Sequence, residues 1–177
     1  GDLLRLVAAA GRGRRIREPL HLAVLAAECL VHLAPGLVLV PGYRRMQGVV
    51  TRPDEARGVP ELLADPALRM VNRNRGAGTR VLIDELLAGR RPPGFSYEPR
   101  SHYAVAAAVA QKRADWGVTI ETVARQAGLR FRTLRAEPYD FVVRADRLER
   151  PAVRALRRLL EPGSPLRERL ARMGFEN

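Results

Sequence analysis

The apolar positions change period repeatedly along the 177-residue chain. Residues 3–10 (LLRLVAAA) predict a short helix, followed by the basic loop Gly11-Arg12-Gly13-Arg14-Arg15. After Pro19, the nearly uniform apolar run HLAVLAAECLVHLA predicts a buried helix over 20–33, ended by Pro35-Gly36. LVLV at 37–40 predicts a short buried strand closed by Pro41-Gly42, and 46–51 predicts a second extended piece. A short helix is expected at 56–64 and a strand at 68–72. Over 78–88, Val81, Leu82, Leu86 and Leu87 fall near helical spacing, with Gly89 at the C-terminal end.

The second half continues the alternation. Residues 90–99 hold three prolines and read as loop with a brief extended segment. Ser101 is a good N-cap for the alanine-rich helix SHYAVAAAVAQKRA. Strands are expected at 116–120, 131–134 and 139–143, a helix at 122–127, and two closing helices at 151–160 and 165–173. Helices alternating with strands predict an α/β architecture with parallel pairing. There is no internal repeat or low-complexity tract.

Composition narrows the class. Hydrophobic residues make up 46% and aromatics 5%, enough aliphatic surface to exclude intrinsic disorder. The length suits one compact domain or two small lobes. No run of 18 apolar residues exists, so a spanning helix is not expected. Cys29 is the only cysteine, which excludes an intrachain disulfide or a thiolate metal cluster and reads as a buried structural thiol. The start, Gly1-Asp2-Leu3-Leu4-Arg5, lacks the order of a secretion signal, and a cytoplasmic setting is expected. Opening on Gly1 rather than methionine, the chain reads as a processed or excised piece.

The net charge is +12, and Lys112 is the only lysine, so nearly all of that charge is arginine. Such a balance admits a nucleic-acid partner without requiring one. Its distribution argues for a general anion-attracting surface, because the arginines spread over nearly every segment.

The most informative segment is Asn72-Arg73-Asn74-Arg75-Gly76-Ala77-Gly78-Thr79-Arg80. It leaves one strand and opens the next helix. Gly76 and Gly78 permit a tight turn that points several N–H groups at one place. The helix start adds unpaired donors and partial positive charge. Thr79 can donate a hydroxyl, and Arg75 or Arg80 a planar fork of donors. These residues describe a cradle for a small oxyanion or carboxylate. The spacing is neither a Walker loop nor GxGxxG.

Three segments together, NRNRGAGTRVLIDELL, SHYAVAAAVAQKRADWGVTI and EPYDFVV, resemble a periplasmic-binding-protein-like domain. It is the kind found beside helix-turn-helix regulators and at the C-terminus of molybdopterin-biosynthesis proteins. YRRMQGVVT (43–51), with Pro53, resembles that family's crossover strand. The resemblance covers roughly residues 36–175. It implies an α/β fold of the type 2 periplasmic-binding class: two small α/β lobes, two crossover segments and a ligand cleft. Lobe I would be 1–50 plus 138–177, and lobe II 51–137.

The implied ligand is a small oxyanion such as molybdate or tungstate, with no resident cofactor. Within the resemblance Gly78, Thr79 and Arg80 match the anion-contacting turn. Ser101, His102 and Tyr103 match the start of the helix facing the cleft. Asp115 and Gly117 lie where the cleft-edge strand should be. Tyr139 and Asp140 fall at the return crossover, where a hinge role competes with ligand contact. The family normally begins with a strand and a glycine- and serine-containing loop. Residues 1–35 offer helices and a basic loop instead, so the N-terminal lobe is expected to be truncated or degenerate.

Two rival readings have their own features. ETVARQAGLRFRTLR (121–135) looks like a helix-turn-helix, the basis of an alternative nucleic-acid-binding module. Pro138 and the strand-like flanks weigh against it. Catalysis finds no carboxylate pair, metal-ligand cluster or nucleophile elbow, and His21, His32 and His102 are scattered. The sequence therefore predicts a non-catalytic domain that senses a small anion through Arg75, Gly76, Gly78, Thr79, Arg80, Ser101, His102 and Tyr139. Its expected partners are that ligand and a second copy as a homodimer. Nucleic acid would be met only through a separate domain, and no membrane or metal is expected.

Overall fold

The computed structural model describes Ala34 and residues 36–176. The helices expected at 3–10 and 20–33, with Cys29, His21 and His32, lie outside the described residues. The chain divides into two compact units, one of 46–135 and the other of 1–45 with 136–177.

The unit of 46–135 is a twice-covered sheet. The sheet has strands β1 (Leu37–Thr51), β2 (Met70–Val71), β3 (Trp116–Ile120) and β4 (Arg130–Arg144), in the order β2-β3-β1-β4, and β1 and β4 each run on into the other unit. β2 and β3 run parallel, with Val71 beside Gly117. β1 is antiparallel to β3, with Val49 opposite Val118 and Gly48 opposite Thr119. The all-parallel expectation is thus corrected: only the β2–β3 pair obeys it, and the sheet is mixed.

All five residues of β3 are buried, as in a strand covered on both faces. Adjacent residues serve opposite faces. Val49, Met70, Trp116 and Val118 pack with Leu62 of α1 (Val59–Ala64) and with Leu82, Ile83 and Leu87 of α2 (Gly78–Leu87). Val50 and Val71 pack on the other side with Val105, Ala106, Ala108 and Val109 of α3 (His102–Ala110). Val123 and Ala124 of α4 (Glu121–Gln126) complete that second cluster. The alanines of α3 bring it close to the sheet, as its composition predicts.

In the unit of 1–45 and 136–177, β5 (Phe175–Glu176) pairs antiparallel with β1 at Arg44 and Arg45. Tyr43 stacks on Tyr139 at 5.2 Å between centroids and meets Phe175 edge-on at 5.1 Å. Helices α5 (Pro151–Leu159) and α6 (Pro165–Arg172) each begin on a proline, where its missing N–H costs nothing. Ser164 caps α6, accepting from Arg167 N–H at 3.2 Å.

Two breaks read from the sequence are absent. The pieces expected at 37–40 and 46–51 are one strand, β1, and those at 131–134 and 139–143 are one strand, β4. Pro41-Gly42 does not end β1, and the Gly42 N–H donates to the Asp140 carboxylate at 2.9 Å. A side chain at Gly42 would collide with the Tyr139 carbonyl, so glycine there serves close approach rather than a turn. The helix-turn-helix reading also fails: after α4, Gly128 turns at φ +63° and β4 begins at Arg130. No recognition helix follows.

Candidate functional site

The site grows from the carboxyl end of the parallel β2–β3 pair, where ligands of open α/β sheets lie. The chain leaves β2 through Asn72, whose side chain fixes the turn. Its amide accepts from Arg73 N–H at 2.8 Å and donates to the Phe95 carbonyl at 2.9 Å. Gly76 adopts φ +85°, a conformation side chains disfavour, and the turn then runs into α2. Its N-cap, Ala77, brings no side-chain hydrogen bond. The first N–H groups of a helix have no partner within it, so those of Gly78 and Thr79 are left for solvent or an anion.

The loop of 93–99 lies along the outer edge of β2. N–H groups of Met70, Asn72 and Asn74 donate to carbonyls of Pro93, Tyr97 and Pro99 at 2.8, 2.9 and 3.3 Å. Arg73 adds a bond to the Arg100 carbonyl at 3.4 Å. These bonds hold the start of α3 beside the turn. Ser101 caps α3 as expected, its hydroxyl accepting from Ala104 N–H at 3.1 Å. His102, the first residue of α3, places Nδ1 3.2 Å from the hydroxyl of Thr119, a buried residue near the carboxyl end of β3. That hydroxyl also donates to the His102 carbonyl at 3.3 Å.

The sequence-derived residues sort by position. Arg75, Gly76, Gly78 and Ser101 are exposed at this pole, Thr79 is buried, and His102 is half-buried. Tyr103 is exposed and donates from its hydroxyl to Gln126 at 3.0 Å. Tyr139 belongs to the other unit, in the stack with Tyr43, under Arg45 at 4.9 Å.

Arg80 is buried and turned inward. It donates to Asp84 at 2.8 Å, to Glu98 at 2.6 Å and to the Arg73 carbonyl at 3.0 Å, and lies 4.9 Å over the Phe95 ring. Burial opposes its charge, but the bonds to Asp84 and Glu98 more than offset that and hold its pKa above the ordinary value. Arg80 thus braces the turn against the loop. Asp115 likewise has a framework task, accepting from Arg52 at 3.3 Å and from Arg69 N–H at 2.9 Å. Sequence reasoning passed over Thr119, Glu98 and Phe95, which carry no motif and matter only through what the fold sets beside them. Asn72, heading the turn, could have been found as a polar residue directly after an apolar strand.

Among the described residues no group of three His, Cys, Asp or Glu could hold a metal, and no helix is long and apolar enough to cross a membrane. What the site offers is N–H groups, hydroxyls and an imidazole around one pole.

Comparison with known proteins shows what the chain is similar to. The model of the PBP superfamily domain matches residues 24–161. The uncharacterized protein YvgK of Bacillus subtilis (strain 168) is 37% identical over 81 residues, 43% of this chain and 26% of that protein. The chain therefore spans about a quarter of that relative's length. A mutant of Corynebacterium glutamicum OxyR superposes with a TM-score of 0.54 at 19% identity, covering 86% of this chain and 52% of that one. An ABC-type phosphate transport receptor from Vibrio cholerae gives 0.54 at 9% identity, covering 81% and 74%. The resemblance read from the sequence holds, and the chain belongs to the PBP superfamily domain family, with a type 2 periplasmic-binding-protein-like fold.

Proposed function

We propose that this chain is a non-catalytic sensing domain for a small oxyanion, with molybdate or tungstate the ligands of choice. It would work in the cytoplasm as part of a regulator or a molybdenum-cofactor-related protein. One observation carries the reading: the uncapped start of α2 is pinned beside the start of α3 at the carboxyl pole of the sheet. N–H groups of Gly78 and Thr79 would bind the anion, with the Thr79 hydroxyl, Arg75 and His102 around it. Arg80 would act by holding the turn in shape. Family membership supports ligand binding, and the phosphate receptor among the structural neighbours supports an anion.

Titration calorimetry with molybdate, tungstate, sulfate and phosphate tests this. Gly78→Pro is the informative variant. It deletes one N–H at the first helical position, where proline is tolerated, and Ala77 before it is already extended at ψ 137°. We expect at least one oxyanion to bind the wild type and to bind Gly78→Pro tenfold or more weakly. Absence of heat with all four, or equal affinity in the variant, would overturn the proposal.

A further inference from the structure

A second feature lies at the opposite, amino-terminal pole of β3. A pocket of about 240 Å³ is lined by Ala67, Arg69, Lys112, Arg113, Ala114 and Asp115. Three of these are cations, all three exposed, and none forms an ion pair among the described residues. The single acid, Asp115, has both oxygens engaged, one by Arg52 and the other by the Arg69 N–H. The lining therefore carries an excess of positive charge that no neighbouring carboxylate neutralises.

Lys112 is the only lysine in a chain otherwise basic through arginine. It follows the C-cap of α3 at φ +60°, a left-handed conformation that glycine normally occupies at this helix position. The Arg113 N–H turns back to the Ala108 carbonyl at 2.9 Å, and the Lys112 N–H to Val109 at 3.1 Å. The carbonyls of Ala107, Ala108 and Val109 in the last turn of α3 are thus satisfied by backbone. The side chains of Lys112 and Arg113 are not needed for that cap, and both line the pocket.

We propose that this pocket binds a phosphate group, free or carried on a small phosphomonoester, at a site separate from the carboxyl-pole turn. An ammonium and two guanidinium groups would surround the dianion: a compact charge from Lys112 and planar donors from Arg69 and Arg113. The proposal does not depend on the anion-sensing reading.

The sole lysine makes the test specific. Reductive methylation with carbon-13 formaldehyde keeps the charge and labels only Lys112 and the N-terminal amine. We expect the dimethyl-Lys112 resonance to move saturably with inorganic phosphate, with glycerol 3-phosphate or with both, and not with sodium chloride at matched ionic strength. Which of the two moves it distinguishes free phosphate from a phosphomonoester. The combined Arg69→Gln and Arg113→Gln variant should weaken the effect at least tenfold, whereas Gly78→Pro should leave it intact. A movement no larger than chloride produces, or one unchanged in the double variant, would overturn the site. So would a movement lost in Gly78→Pro, which would assign the signal to the other pole.

Discussion

Arg57 holds two carboxylates at once, Glu55 at 2.6 Å and Asp65 at 2.8 Å. The side-chain hydrogen bond from Arg57 is the main reason Glu55 titrates at about 2, against an ordinary 4.5. Asp65 is also held low, first by the Ala67 N–H and then by Arg57. A carboxylate whose folded pKa is depressed stabilises the fold above its unfolded pKa and loses that contribution as pH falls through the folded value. For Glu55 the loss runs from about pH 4.5 down to about 2. Arg57→Gln should therefore raise the Glu55 midpoint toward 4.5 in a carboxyl NMR titration, and move Asp65 less because Ala67 remains. Equal movement of both would mean that Arg57 alone controls the pair. Partnerships of this kind set how far the site could be read in advance. Ser101 was legible because its partner is three residues away. Arg80 was legible as a basic residue at a helix start but not as a buried brace, since Glu98 and Phe95 reach it only through the folded loop.

Helices were legible in outline and β3 fell where expected, but the continuity of β1 and β4 was not legible. Four-residue spacing defines α2, α3, α5 and α6, with side-chain caps from Ser101 and Ser164 at the starts of α3 and α6, so their extents fall within a few residues of expectation. A strand's continuity depends on neighbours far away in sequence. Gly42 and Asp140, 98 residues apart, are hydrogen-bonded where β1 passes a proline and a glycine. Alanine at position 42 would press on the Tyr139 carbonyl, which cannot move without shifting β4. Gly42→Ala should cost about 2 kcal/mol or more, in the range of forced overpacking, measured by urea unfolding. A cost below about 0.5 kcal/mol would show that the two strands part without penalty. The mixed pairing was hidden for the same reason, because alternation of helix and strand says nothing about a crossover strand's direction.

At the scale of the whole molecule, +12 is distributed charge rather than one binding face. Several arginines are neutralised locally, among them Arg45 by Glu137 at 2.6 Å and Arg144 by Asp146 at 2.7 Å. The unneutralised remainder repels itself, and salt screens that repulsion. The melting temperature should accordingly rise between 20 and 200 mM sodium chloride, checked by differential scanning calorimetry. A fall would mean that surface ion pairs outweigh the self-repulsion.

The division of the chain has a temporal side. Residues 46–135 form one unbroken stretch, whereas the other unit is assembled from both ends of the sequence. During synthesis, the central unit has all its residues as soon as 135 has left the ribosome, while its companion must wait for residues 136–177. The turn at 72–80 is thus built on the part of the protein able to fold first, and the early segment of β1 stays unpaired with Asp140 until nearly a hundred more residues have been made. Order of birth, as much as final geometry, is written into where the two units exchange the chain.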